Sequence, residues 1–358
     1  MTTIVLGGGY AGVTAANRLA AHGMRVRLVT PRDWFVERIR LHVVASGARD
    51  HARVPLEALL DPRVDLVLDA ALRIRTMRVE LASGHELPFA RLVYAVGSGA
   101  ARPGPAHRIT EETGAAALRA ELAARPEAPV TIAGAGLTGV ELAGALALAG
   151  RRVRLVSASS PPRGAARDLL VALARRGVEV RTGTRVELSV PHTEEILVDT
   201  TGFAVPDLAA ISGLPVDSRG RLRVGPSLEV PGRPDLLGAG DAVLVEGPGA
   251  THLRPACASA MPLGAHAADV VLARNEGRSP APFSLGYAAR CVDLGAGHGH
   301  VQLVRADDSE RAIAVTGRAG GLLKEAVCRL TLRWMSRAAS YSWPRGPEVP
   351  AGVEVLAR

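Results

Sequence analysis

The chain has 358 residues, 47% of them hydrophobic, and a formal net charge of +8. That length suits two or three domains with sizeable cores, excludes wholesale disorder, and contains no apolar run near the roughly 20 residues a membrane span needs. The charge raises a nucleic-acid reading, but of the 43 basic residues only Lys324 is a lysine, and no basic block exceeds two residues. This skew is that of a GC-rich bacterial genome, so no specific nucleic-acid partner is expected. The chain enters a strand directly after Met1, which reads as no signal peptide. Cys257, Cys291 and Cys328 lie far apart with no Cys-x-x-Cys, which fits a reducing, cytoplasmic compartment.

In chain order, a strand at Thr3–Leu6 runs into Gly7-Gly8-Gly9-Tyr10-Ala11-Gly12 and a helix over roughly Gly12–Ala21, followed by a strand at Arg25–Thr30. A bound pyrophosphate needs this order: one glycine for the tight turn, one for close backbone approach and one for helix–strand packing. The helix N-terminus supplies N–H donors. Short segments around Leu66–Asp69, Leu72–Thr76, Arg78–Leu81, Glu86–Pro88 and Arg91–Ala95 predict a small antiparallel meander ending in Tyr94-Ala95-Val96-Gly97-Ser98. A helix at Thr113–Arg125 then leads to a second copy. It runs through strand Val130–Ala133, turn Gly134-Ala135-Gly136-Leu137-Thr138-Gly139, a helix to Leu148, strand Arg152–Val156, a helix near Ala165–Arg176 and strand Val178–Arg181, closing on Asp199-Thr200-Thr201-Gly202-Phe203. Two copies of one unit predict two dinucleotides, hence electron transfer between them. The stretch from Val178 to Gly202 is about nine residues shorter than that from Val64 to Gly97, roughly one strand pair. It reads as a trimmed surface hairpin or as a weakened nicotinamide domain.

Next comes a strand, Asp235–Ala239, ending in Gly240-Asp241, and a helix at Ser259–Arg274. A mixed tail over 283–335 carries strands at Val301–Arg305 and Ala312–Thr316 and a helix from about Gly321; 344–352 reads as loop. The 321–337 helix places Leu322, Leu323, Ala326, Val327, Leu330 and Trp334 on one side, largely opposite Glu325, Arg329, Arg333 and Arg337. Three fates fit: a cap on the protein's own core, a homodimer contact, or weak peripheral docking at the inner membrane face. His298 and His300 have no third ligand beside them, so no metal is expected.

These motifs together resemble the two-dinucleotide-domain flavoproteins of the pyridine nucleotide–disulfide oxidoreductase superfamily. Gly136-Leu137-Thr138-Gly139-Val140-Glu141-Leu142-Ala143-Gly144 is most similar to the type II NADH dehydrogenase and apoptosis-inducing-factor-like branch. The resemblance covers about residues 1–275. It implies an α/β fold of two Rossmann-type domains with a small C-terminal α+β tail: an FAD-binding domain over 1–107 and 233–280, an NAD(P)-binding domain over 108–232, and a C-terminal domain over 281–358. It further implies an FAD-dependent enzyme in which Gly7, Gly9, Tyr10, Ala11, Gly12, Ala95, Gly97, Ser98, Gly240 and Asp241 hold FAD. The helix after Met261-Pro262 would turn its positive end to the flavin. Gly134, Gly136, Leu137, Thr138, Gly139 and Gly202 would hold the nicotinamide nucleotide, with Glu141 beside the nicotinamide; a surface glutamate is the plainer fate. The acceptor would be a small molecule such as a quinone.

The chain departs from this pattern in places. An acid at the end of the second strand ordinarily binds the ribose; here Thr30 stands there, with Asp33 as a substitute and Arg32 placed to stack on adenine. Of Arg38 and Arg40, one is expected on FAD phosphate oxygens. In the second copy that position is Ser157, with Arg151, Arg152 and Arg163 nearby, which favours NADPH over NADH or marks a site that has lost its nicotinamide. Cys257 reads as a buried thiol or a redox group near the flavin. Lys324 is either a required ammonium near flavin or substrate or a chance survivor. The resulting expectation is an FAD-dependent NAD(P)H oxidoreductase. A biosynthetic flavin-dependent oxidase or dehydrogenase with a degenerate nicotinamide domain is the alternative, and a non-enzymatic flavin-binding protein the third.

Overall fold

The structure, a computed structural model, describes residues 2–99, 104–190 and 193–348; part of the predicted 344–352 loop lies outside them. Its first unit runs β1 (Thr2–Leu6), α1 (Tyr10–Ala21), β2 (Arg25–Thr30), the short strands β3 (Trp34–Val36) and β4 (Arg53–Pro55) with α2 (Leu41–Ala45) between them, and β5 (Val64–Leu68). The meander β6 (Ala71–Arg75), β7 (Arg78–Leu81), β8 (Glu86–Pro88) precedes β9 (Arg91–Tyr94). After α3 (Glu112–Ala124) the second unit runs β10 (Val130–Ala133), α4 (Leu137–Leu148), β11 (Val153–Ser157), α5 (Gly164–Ala174), β12 (Glu179–Thr182) and β13 (Ile196–Asp199). The chain continues through α6 (Leu208–Ile211), β14 (Leu222–Val224), β15 (Glu229–Val230), β16 (Arg233–Gly238), β17 (Val243–Val245) and α7 (Cys257–Asn275). It ends in β18 (Ala289–Gly295), β19 (His298–Val304), β20 (Glu310–Thr316) and α8 (Gly317–Ser336).

β1 and β10 are short apolar runs rather than alternating ones, because each lies in the middle of a parallel sheet covered on both faces. The first sheet has the order β15-β16-β9-β1-β2-β5 and the second β12-β11-β10-β13. Reading β9-β1-β2-β5 against β13-β10-β11-β12 gives the same order, so the duplication seen in the turns extends to the sheets. Within the described residues the second copy passes from β12 to β13 with no strand between. Among the described residues no counterpart of β6, β7 or β8 occurs, a larger loss than one strand pair.

Each unit has its own hydrophobic core. The tail joins them: Val292 and Leu294 of β18 enter the second core, and Met335 of α8 the first. One face of α8 buries Gly320, Cys328, Thr331 and Met335, and Lys324 projects from the same side. Leu322, Leu323, Leu330 and Trp334 are exposed instead. Of the three fates, the core cap does not hold for these four residues, although Val327 of the same predicted face lines a cavity.

Candidate functional site

The two glycine turns share a backbone geometry. Gly7 and Gly134 adopt φ +107° and +108°, the left-handed side that glycine alone enters freely. Five residues on, a Cβ at Gly12 would overlap the Gly7 carbonyl oxygen, and one at Gly139 the Gly134 carbonyl oxygen. Each turn therefore folds its helix tightly against the preceding strand. Both helices begin without a side-chain cap, at Gly9 and Gly136, leaving first-turn N–H groups free for an anion.

A single cavity of about 770 Å³ lies between the units and the tail. From the first unit it takes Gly7, Gly9, Tyr10, Ala11, Thr30, Arg32, Arg38, Ala95, Gly97 and Ser98, and then Gly240 and Asp241 after β16. From the second it takes Leu137, Thr138, Glu141 and Gly202, and from α8 Lys324. Gly134 and Gly136 shape the second turn without forming wall.

Asp241 is fixed at the mouth of α7. Its Oδ2 accepts a 2.9 Å hydrogen bond from the Ser98 hydroxyl, which accepts one of 2.8 Å from Arg38, and Arg38 also donates to the Thr110 carbonyl. Asp241 Oδ1 is buried with no partner, as is the Tyr10 hydroxyl. Such orphans are costly unless a ligand completes them. A polyhydroxylated chain ending in pyrophosphate would do so, with hydroxyls for Asp241 and phosphates for the glycine turn. The residues therefore fit FAD.

At the junction of the two halves, Glu141 is buried, not a surface glutamate. Its Oε1 accepts hydrogen bonds from Lys324 Nζ at 2.9 Å and from the Asp293 N–H at 3.0 Å. Burial pulls the Lys324 ammonium down, but Glu141 and the neighbouring thiols more than offset it, leaving the group above the ordinary lysine range. The only lysine is thus a permanent cation inside the cavity.

Several expectations need correction. Arg40 does not reach the cavity: its guanidinium forks onto Glu325 at 2.9 and 3.0 Å and also bonds Glu37, so Arg38 alone is at the site. Met261 and Pro262 do not form the helix start. α7 begins at Cys257, and both residues are buried in its second turn, so Cys257 and Ala258 occupy the end that faces the cavity. Asp33 is exposed and outside the wall; the carboxylate beside Thr30 is Asp69, one strand over, whose N–H donates to the Thr30 carbonyl at 3.0 Å. Hydrogen bonds from Ser83 and from the Ala70 N–H hold its carboxyl below the usual range. Arg151 and Arg152 are spent on the backbone carbonyls of Leu122, Arg125, Ala128 and Glu127. Ser157 and Arg163 lie outside the cavity wall, and Ser157 accepts from the Ser159 N–H.

The sequence also gave no hint that Cys257, Cys291 and Cys328, so far apart in the chain, border one cavity. Burial raises all three thiols despite the nearby Lys324, Cys328 to about 11. They stay protonated near neutral pH, which argues against thiolate chemistry.

A duplicated Rossmann unit, a polar cradle suited to FAD and a cavity joining both turns define an FAD-dependent oxidoreductase. The chain belongs to the pyridine nucleotide-disulphide oxidoreductase family, whose model matches residues 1–262. It is similar to the nitric oxide reductase FlRd-NAD(+) reductase of Aeromonas hydrophila, 28% identical over 79% of this chain and 78% of that protein. It is also similar to the type II NADH:quinone oxidoreductase Ndh of Mycobacterium tuberculosis, 25% identical over 68% and 67%. A match to ferroptosis suppressor protein 1 of Xenopus tropicalis, 29% identical, spans 39% of this chain and only 38% of that protein. In fold it resembles the sulfide:quinone oxidoreductase of Aquifex aeolicus, with a TM-score of 0.80 at 17% identity, covering 95% of this chain and 93% of that one.

Replacing Asp241 by alanine is expected to weaken FAD retention about 10- to 100-fold, the value of a hydrogen bond to a charged group. Flavin occupancy after gel filtration and fluorescence titration of apoprotein measure it.

Proposed function

We propose that the protein is an FAD-dependent NAD(P)H oxidoreductase that passes a hydride from nicotinamide, by way of FAD, to a small acceptor such as a quinone. The observation that carries this reading is one continuous cavity lined by both helix starts and by the Glu141–Lys324 pair. Bound FAD would supply two-electron chemistry. The protein's own part is mostly positioning. Gly7, Gly9 and the start of α1 would hold the pyrophosphate, while Ser98 and Asp241 orient the polyol. Leu137 and Thr138 would seat the nicotinamide nucleotide, and Lys324 Nζ would hold positive charge where negative charge develops during reduction.

The relatives' names point to NADH. The ends of β11 and β12, at Ser157 and Thr182, carry no carboxylate to repel a 2′-phosphate, so NADPH should serve at least as well. The exposed Leu322, Leu323, Leu330 and Trp334 beside Arg329 and Arg333 suit contact with a lipid surface or a second copy. Anaerobic stopped-flow of the flavin-loaded protein tests the main reading: NADH or NADPH bleaches the flavin, and a quinone restores it. The missing second meander favours an alternative, a flavin-dependent oxidase or dehydrogenase of an organic substrate. That alternative predicts no bleaching by either nucleotide.

A further inference from the structure

The buried pair at the cavity does not end at Lys324. His42 of α2 lines the cavity with a side chain only 4% exposed, and its two ring nitrogens face two different carboxylates. Nδ1 lies 3.6 Å from Glu141 Oε2 on α4, and Nε2 lies 3.3 Å from Asp293 Oδ2 on β18. Glu141 and Lys324 are nearly as buried, at 11% and 12%, whereas Asp293 is 29% exposed and forms no part of the cavity wall. The four groups therefore make a file, Asp293, His42, Glu141, Lys324, whose first member is the most exposed and lies off the cavity while the other three line it. The Asp293 N–H, bonded to Glu141 at 3.0 Å, fixes the spacing between the two carboxylates that the ring spans.

The proposed reaction needs such a file. A nicotinamide gives up one hydride, which is two electrons and one proton. A quinone that becomes a hydroquinone takes two electrons and two protons, so each turnover draws one proton from solvent. We propose that Asp293 and His42 relay this proton to the Glu141–Lys324 pair at the cavity. An imidazole suits the task because it can accept a proton at one nitrogen and release one from the other. The 3.6 Å gap to Glu141 is of the kind that tightens when a ligand fills a site. His42 acts through Glu141 and is a positioning and relay residue. This inference rests on the function proposed above.

The test compares two electron acceptors on full-length, flavin-loaded protein. Ferricyanide takes electrons without protons; a water-soluble benzoquinone needs them. His42→Gln, and separately Asp293→Asn at the solvent end, should lower quinone turnover about tenfold more than ferricyanide turnover, with a changed solvent deuterium isotope effect on quinone turnover alone. A second readout does not depend on turnover. Burial pushes the Asp293 carboxyl up, but hydrogen bonds from His42 and the Gly295 N–H more than offset it, so it sits below the ordinary aspartate range. In His42→Gln the Asp293 carboxyl resonance should titrate at higher pH. Equal loss with both acceptors, or an unmoved Asp293 titration, overturns the relay. Wild-type protein that neither nucleotide bleaches overturns the proposed function instead.

Discussion

Alanine at Gly139 should leave a yellow protein that neither NADH nor NADPH bleaches, whereas alanine at Gly12 should give a colourless one. In both variants the new Cβ lands on a backbone carbonyl oxygen, that of Gly134 or of Gly7. Backbone cannot move aside as a flexible side chain can, so the helix must lift from its turn. Overpacking of this kind costs about 1–3 kcal/mol, and more where nothing yields. The displaced atoms are the N–H groups that would face the pyrophosphate, so the loss falls on binding as well as stability. Flavin absorbance of purified protein and anaerobic bleaching measure the two effects separately. If Gly139→Ala reduces as quickly as wild type, nicotinamide does not use the second turn.

The glycine turns, Gly97-Ser98 and Gly240-Asp241 were legible because each is a local device. A turn with φ near +107° and a strand end that meets a helix start are written in a few consecutive residues. What failed to show was set by packing between remote segments. His42 and Asp293 are 251 residues apart, and the pair means nothing until α2 and β18 meet over α4. Arg40 looked as available as Arg38 because its partner, Glu325, comes 285 residues later. The start of α7 was misread for a different reason. The resemblance put the flavin-facing end after Met261-Pro262, whereas α7 begins at Cys257 and carries that proline in its interior. On α8 the hydrophobic pattern left three fates open, and burial removes the core cap for Leu322, Leu323, Leu330 and Trp334. Its cavity-facing residues, Lys324, Val327, Cys328 and Thr331, are a mixed set because they line a cavity instead of filling a core. Asp69 ends its own segment, and only the pairing of β2 with β5 brings it beside Thr30.

Replacing Lys324 by methionine should cost about 3–5 kcal/mol of stability, because it leaves Glu141 buried without its cation. The pH dependence gives this prediction its sign. In wild type the Lys324 ammonium lies above the ordinary lysine range, so its contribution is fully present below the unfolded lysine value and is lost only as pH rises through the folded one. Between pH 6 and 9 the ammonium should therefore add no slope. In the variant Glu141 keeps the Asp293 N–H and His42 but loses the ammonium, so its charged form is less favoured than in wild type. Stability of the variant should then recover relative to wild type as pH falls toward 5. Adding Glu141→Gln removes the stranded charge and should recover most of the loss, leaving a double-mutant coupling near the full cost of the single change. Urea unfolding of all four proteins at pH 5, 7 and 9 measures this. If Lys324→Met and the double variant lose stability equally at every pH, the pair is not the buried ionic unit described. Turnover separates folding from function: the double variant should be stable yet reduce a quinone about 100-fold more slowly, since neither group remains to hold a proton or charge at the cavity.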